Sequence, residues 1–108
     1  MFKSTRNKGF QMTFQNGMTI SVQFGASNYC ERKNMTTIYK DEMDATTPII
    51  SSSDAEIAIW DKEGKWYNFG SDEVKGWVSP DEVVFWITAA REAKTLEDIN
   101  YMANSFGT

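Results

Sequence analysis

Residues 27–34, SNYCERKN, bring an aromatic ring, a thiol and two adjacent bases within a few positions of one another. Arg32 beside Lys33 suits a phosphate or carboxylate, because guanidinium can engage such an anion through two parallel N–H bonds. Tyr29 supplies the aromatic surface next to them. Cys30, the only cysteine, reads as a small buried hydrophobe rather than a nucleophile. Arg32 and Lys33 also fit an ordinary solvated surface, yet apart from the N-terminal stretch they form the only basic cluster in the chain. A second constellation is Trp60 with Trp66, six positions apart across a glycine-containing turn. Tryptophan leads the residues enriched at interface hot spots, so an exposed pair would be a contact surface for a base or a protein. The competing reading is that a helix or the long middle segment covers them.

The residue inventory excludes more than it offers. With no histidine and one cysteine, the chain has no histidine-based triad, no internal disulfide and no thiolate metal cluster. The remaining bases are carboxylates, Lys, Tyr and the lone thiol, and no spacing among them matches a catalytic motif. Asp41, Glu42 and Asp44 lack the turn glycine and distal glutamate of a calcium loop. The pairs Asp72/Glu73 and Asp81/Glu82 read as turn and helix-start charges. The expectation is therefore a protein that is not an enzyme and that carries no metal or cofactor. The enzyme alternative is a small hydrolase or transferase using Cys30 or paired carboxylates.

The elements that position these residues are legible from periodicity. Phe10, Met12 and Phe14 alternate with polar residues, as do Met18, Ile20, Val22 and Phe24, which predicts two amphipathic strands. A two-residue Asn16-Gly17 loop would put the two apolar rows on opposite faces. A three-residue loop, Gln15-Asn16-Gly17, pairs Phe14 with Met18, Met12 with Ile20 and Phe10 with Val22, leaving Gly17 left-handed. The same reasoning makes 55–70 a second hairpin closed by Lys62-Glu63-Gly64. Ile59 then faces Tyr67 and Ile57 faces Phe69 on the core side, with Trp60 facing Trp66 on the reverse.

Residues 74–78, VKGWV, read as a short final strand, with Trp77 assigned to the core. Ser79, Pro80, Asp81 and Glu82 form a helix start with a capping box. Val83, Trp86, Ile87, Ala90 and Ala93 make its buried stripe. A second helix capped by Thr95 turns Leu96, Ile99, Ala103 and Phe106 inward. Residues 26–54 show little periodicity, apart from weak strand character in 35–39 and after Pro48.

Strands followed by helices predict an α+β class: an antiparallel β-sheet built from two β-hairpins plus short strands, packed by two C-terminal α-helices. A length of 108 residues, with 41% hydrophobic and 14% aromatic residues, fits a single domain spanning 1–108. Charge is unevenly placed. Residues 1–40 hold six bases against one acid, and residues 41–108 hold five bases against fourteen acids, for a net charge of −4. That asymmetry suits an anionic ligand at the basic end or head-to-tail contact in a homo-oligomer, unless folding interleaves the charges. The sign disfavours direct nucleic-acid binding. The opening residues carry charges where a secretory signal needs an apolar core, and no run approaches a membrane span, so a cytoplasmic protein with no membrane partner is expected.

The segments FQMTFQNGMTISVQFG, NYCE and WVSPDEV are similar to small uncharacterised accessory proteins of tailed bacteriophages. The resemblance spans most of the chain but brings no catalytic motif, so it assigns no residue a role. It implies an anti-defence context in the host cytoplasm: binding a host protein, or sequestering a small anionic or nucleotide ligand. Tyr29, Arg32, Lys33, Trp60 and Trp66 are the residues expected to make that contact. The alternative is an acidic nucleic-acid mimic inhibiting a host nuclease, of the anti-CRISPR or anti-restriction type.

Overall fold

The computed structural model describes residues 1–5, 8–25 and 51–106. The strand compositions noted at 35–39 and after Pro48 lie outside them. Five strands form one antiparallel sheet in chain order: β1 Phe2–Ser4, β2 Gly9–Thr13, β3 Thr19–Gln23, β4 Ala55–Trp60 and β5 Lys75–Val78. Two helices, α1 Pro80–Glu92 and α2 Leu96–Phe106, follow. The class is α+β, as the order of periodicities predicts.

The first hairpin has the predicted register. Met12 opposes Ile20 and Phe10 opposes Val22, while the Phe14 N–H donates to the Met18 carbonyl at 2.9 Å. Gly17 takes φ 89°, a left-handed conformation that glycine adopts without a Cβ penalty. The apolar rows therefore share one face. Ile20, Ile57 and Ile59 lie at its centre, each at most 1% exposed, and full burial of such a side chain stabilises by about 1.5–3 kcal/mol. At the rear of the hairpin, Gly9 is fixed by contact rather than by turning, since a Cβ there would overlap the Val22 carbonyl oxygen.

Helix α1 packs on this face against β3 and β4. Ser79 Oγ accepts from the Glu82 N–H at 3.2 Å, which supplies one half of the capping box. The Glu82 carboxylate turns elsewhere, accepting from Trp86 Nε1 at 3.2 Å and pairing with Lys75 Nζ at 3.8 Å. Val83, Trp86, Ala89 and Ala90 are buried; Ile87 is half-buried and Ala89 takes a central place. At α2, Asp98 Oδ2 accepts from the Lys94 and Thr95 amides at 2.8 and 3.1 Å, and Thr95 Oγ1 accepts in return from the Asp98 amide at 3.4 Å. Ile99 is fully buried, with Leu96 and Ala103 half-buried. The Phe106 side chain lies outside the described set.

Two expectations are corrected, and one strand is added to those read from periodicity. The N-terminal stretch includes an edge strand, β1, with Phe2 opposite Met12 and Ser4 opposite Phe10. The second hairpin keeps its register only near the tip: Ile57 opposes Lys75, not Phe69. After Tyr67 the chain leaves the ladder, because the Asn68 carboxamide oxygen accepts from the Gly70 amide at 2.7 Å and the Phe69 amide donates to the Asp72 carbonyl at 2.8 Å. This turn lifts Phe69 off the sheet and onto Trp86, with ring centroids 5.1 Å apart.

Trp77, finally, is 58% exposed rather than in the core. The register shift between Ala55 and Ile57 accommodates an extra residue on β5, and Trp77 takes φ 52° there. A left-handed non-glycine residue carries about 1–2 kcal/mol of strain. Trp77→Gly should therefore stay within about 1 kcal/mol of the parent in thermal unfolding, since release of that strain offsets the removal of the indole's surface packing. A loss above about 2 kcal/mol, the range of core truncations, would return Trp77 to the core.

Candidate functional site

Alternation along β4 sends Ala55, Ile57 and Ile59 to the helix-covered face and Glu56, Ala58 and Trp60 to the other. The turn that follows is pinned by one side chain. Asp61 Oδ1 accepts from the amides of Glu63 and Lys65, both at 2.9 Å, while the Asp61 and Lys65 backbones bond at 2.9 Å and the Gly64 amide donates to the Asp61 carbonyl at 3.0 Å. The result is a fixed return of the chain that sets Trp66 directly opposite Trp60. Their rings stack with centroids 5.0 Å apart and planes 22° from parallel. Trp60 is half-buried and Trp66 is 40% exposed.

The same row continues inward through Thr19, which opposes Trp60, and Thr13, which opposes Thr19. Their hydroxyl oxygens lie 2.8 Å apart. Next to them Gln23 Nε2 donates to Ser21 Oγ at 3.0 Å, and Thr5 Oγ1 donates to Gln23 Oε1 at 2.8 Å. Thr19, Ser21 and Ala58 are buried, whereas Trp66 at one end of this face and Lys3 on its edge strand are exposed. The Trp pair combines a large apolar area with low conformational entropy, and each indole N–H remains a potential donor to a partner.

The other face of the same hairpin is structural. Tyr67 is buried and its hydroxyl donates to Asn100 Oδ1 at 2.7 Å, tying β-sheet to α2. Burial pushes its pKa above the ordinary tyrosine value, so the phenol stays a neutral donor across the physiological range.

Of the residues expected to bind, Trp60 and Trp66 are brought together; Tyr29, Arg32 and Lys33 lie outside the described residues, as does Cys30. Asp72, Glu73 and Asp81 are exposed, whereas the Glu82 carboxylate is engaged by Trp86 and Lys75. Trp77 is exposed against its expected place in the core, and the only local signal of this is the preceding Gly76, which suits a bulge. A cleft of about 390 Å³ between the two hairpin tips and the α1–α2 junction carries Lys62, Lys65 and Lys94 together with Asp61, Glu63 and Glu97. Its three bases are thus balanced by three acids. Among the described residues no group of His, Cys, Asp or Glu side chains is arranged to hold a metal ion, and no helix is long and apolar enough to cross a membrane.

Comparison of the chain with protein-family models, curated proteins and solved structures returns no match.

Proposed function

We propose that the chain is a non-enzymatic binding protein, a phage-type accessory protein that engages a host protein through the Trp60–Trp66 end of its sheet. The observation that carries this reading is the stacked tryptophan pair, set on the face away from the helices by a turn that Asp61 locks, with Trp66 left 40% exposed. Two indoles held rigidly at a surface lose little entropy on binding, which is what distinguishes an anchor from a floppy apolar side chain. A protein partner is favoured over a small anionic ligand because the described site is aromatic and its neighbouring bases are balanced by acids. The anti-defence context rests on the three segments that resemble phage proteins.

The test is direct. A host protein captured by the tagged chain is purified, and its affinity is measured by calorimetry for the parent and for Trp66→Ala. Loss of a hot-spot tryptophan should weaken binding by about 30-fold or more, with thermal stability changed by less than about 1.5 kcal/mol, the worth of an aromatic pair. Equal affinity for the two proteins refutes the assignment of the contact to this end of the sheet.

A further inference from the structure

The tip of the first hairpin is fastened to the end of α1 by a single side chain. Asn16 Nδ2 donates to the carbonyls of Ala90, Arg91 and Ala93 at 2.8, 3.0 and 2.6 Å, and Asn16 Oδ1 accepts from the Met18 amide at 2.9 Å. Three carbonyls on one side and an N–H on the other fix which end of the carboxamide is the nitrogen. The next residue is Gly17, whose backbone N–H donates to the Phe14 carbonyl at 2.9 Å.

An asparagine followed by glycine is the pair in which the second residue's backbone nitrogen meets least obstruction on its way to the first residue's side-chain carbonyl, because glycine has no Cβ. The geometry points to Asn16 as a deamidation site gated by the fold. In the reaction the Gly17 nitrogen bonds to Asn16 Cγ, the Cγ–Nδ2 bond breaks, and the Gly17 amide proton leaves with Nδ2 as ammonia. Water then opens the cyclic imide at either carbonyl, giving an aspartate or an isoaspartate at position 16. In the native state the leaving nitrogen is held by three acceptors and the attacking N–H is engaged, so the reaction requires the tip to open away from α1. The product cannot close again in the same way: its carboxylate has no donor to offer the three carbonyls and sits at the negative end of the helix dipole. The modification thus converts transient opening into permanent loss of the tie between the hairpin tip and the end of α1. This inference is independent of the binding reading.

The full-length protein is incubated in mildly alkaline buffer, alone and in urea below and above its unfolding midpoint, beside a peptide of residues 10–23. Position 16 is followed by peptide mass spectrometry and ammonia release. The native chain should react about tenfold or more slowly than the peptide, as expected for chemistry that waits on local opening, and should converge on the peptide rate once unfolded. A native rate equal to the peptide's, or no reaction at position 16 in the unfolded chain, overturns the gated site. Re-isolated modified protein should melt at a lower temperature than the parent, together with Asn16→Asp; an unchanged melting temperature in both overturns the latch.

Discussion

Trp86→Ala should lower the free energy of unfolding by about 3–5 kcal/mol, the range for truncating a buried tryptophan, read from urea denaturation followed by circular dichroism. Trp86 is 6% exposed and is the hub of an aromatic cluster, with ring centroids 5.0 Å from Phe85, 5.1 Å from Phe69 and 6.2 Å from Tyr67. Phe69 and Phe85 meet it edge to face, the arrangement in which ring quadrupoles attract. Alanine leaves a cavity that the backbone of α1 cannot collapse into, and it removes the indole N–H from the Glu82 carboxylate. Small domains have only about 5–15 kcal/mol of stability in total, so the variant should be at the edge of folding. Trp86→Phe, which keeps most of the apolar volume, should recover more than half of the loss. A loss below about 1.5 kcal/mol in Trp86→Ala, the level of a volume-conserving swap, would mean that the helix–sheet contact is held elsewhere.

The residues that dictate this fold locally were those that sequence reasoning read correctly. Phe10, Met12, Ile20 and Val22 have one register that turns all of them to the same face, and Gln15-Asn16-Gly17 is the loop length that permits it. The capping residues Ser79 and Thr95 act within three positions of the groups they satisfy, so their roles are visible without tertiary knowledge. Of the six bases in residues 1–40, Arg6, Arg32, Lys33 and Lys40 lie outside the described residues. Because the strands lie in the sheet in chain order, exposed Lys3 stands on one edge strand and exposed Asp72 and Glu73 lie just before the other.

What escaped the sequence depends on contacts between distant residues. Phe69 alternates correctly for pairing with Ile57, but the Asn68–Gly70 turn redirects it to a ring on α1, and pattern matching has no access to that competition. Trp77 looks like a core residue by type; the bulge that exposes it shows only in the mismatch between β4 and β5 spacing. Strand β1 has too few residues, with Lys3 at its centre, to display a period, and it exists because the β2 edge offers partners. For the site, alternation put Trp60 and Trp66 on the reverse face together, while their degree of exposure needed coordinates. The Asn16 latch joins residues 74–77 positions apart, and nothing in the local NG signal beyond a turn announces it.

That latch supports the second large effect. Asn16→Ala should destabilise the protein by about 2 kcal/mol, since carbonyls at the end of α1 lose their donor and the Met18 amide loses its acceptor. Asn16→Asp should cost about 1 kcal/mol more at neutral pH, because the isosteric carboxylate keeps the Met18 contact yet faces three carbonyl oxygens and the negative pole of the helix. Repulsion from these groups raises the folded-state pKa of the introduced carboxyl above its unfolded value. The extra penalty is therefore present above the folded-state pKa and is relieved as pH falls toward the unfolded one, where the neutral acid can donate to a carbonyl. Chemical denaturation of the three proteins at neutral and mildly acidic pH reads this out: the gap between Asn16→Asp and Asn16→Ala should narrow or reverse in acid. A gap that is constant with pH would show that the position-16 side chain faces solvent rather than the end of α1.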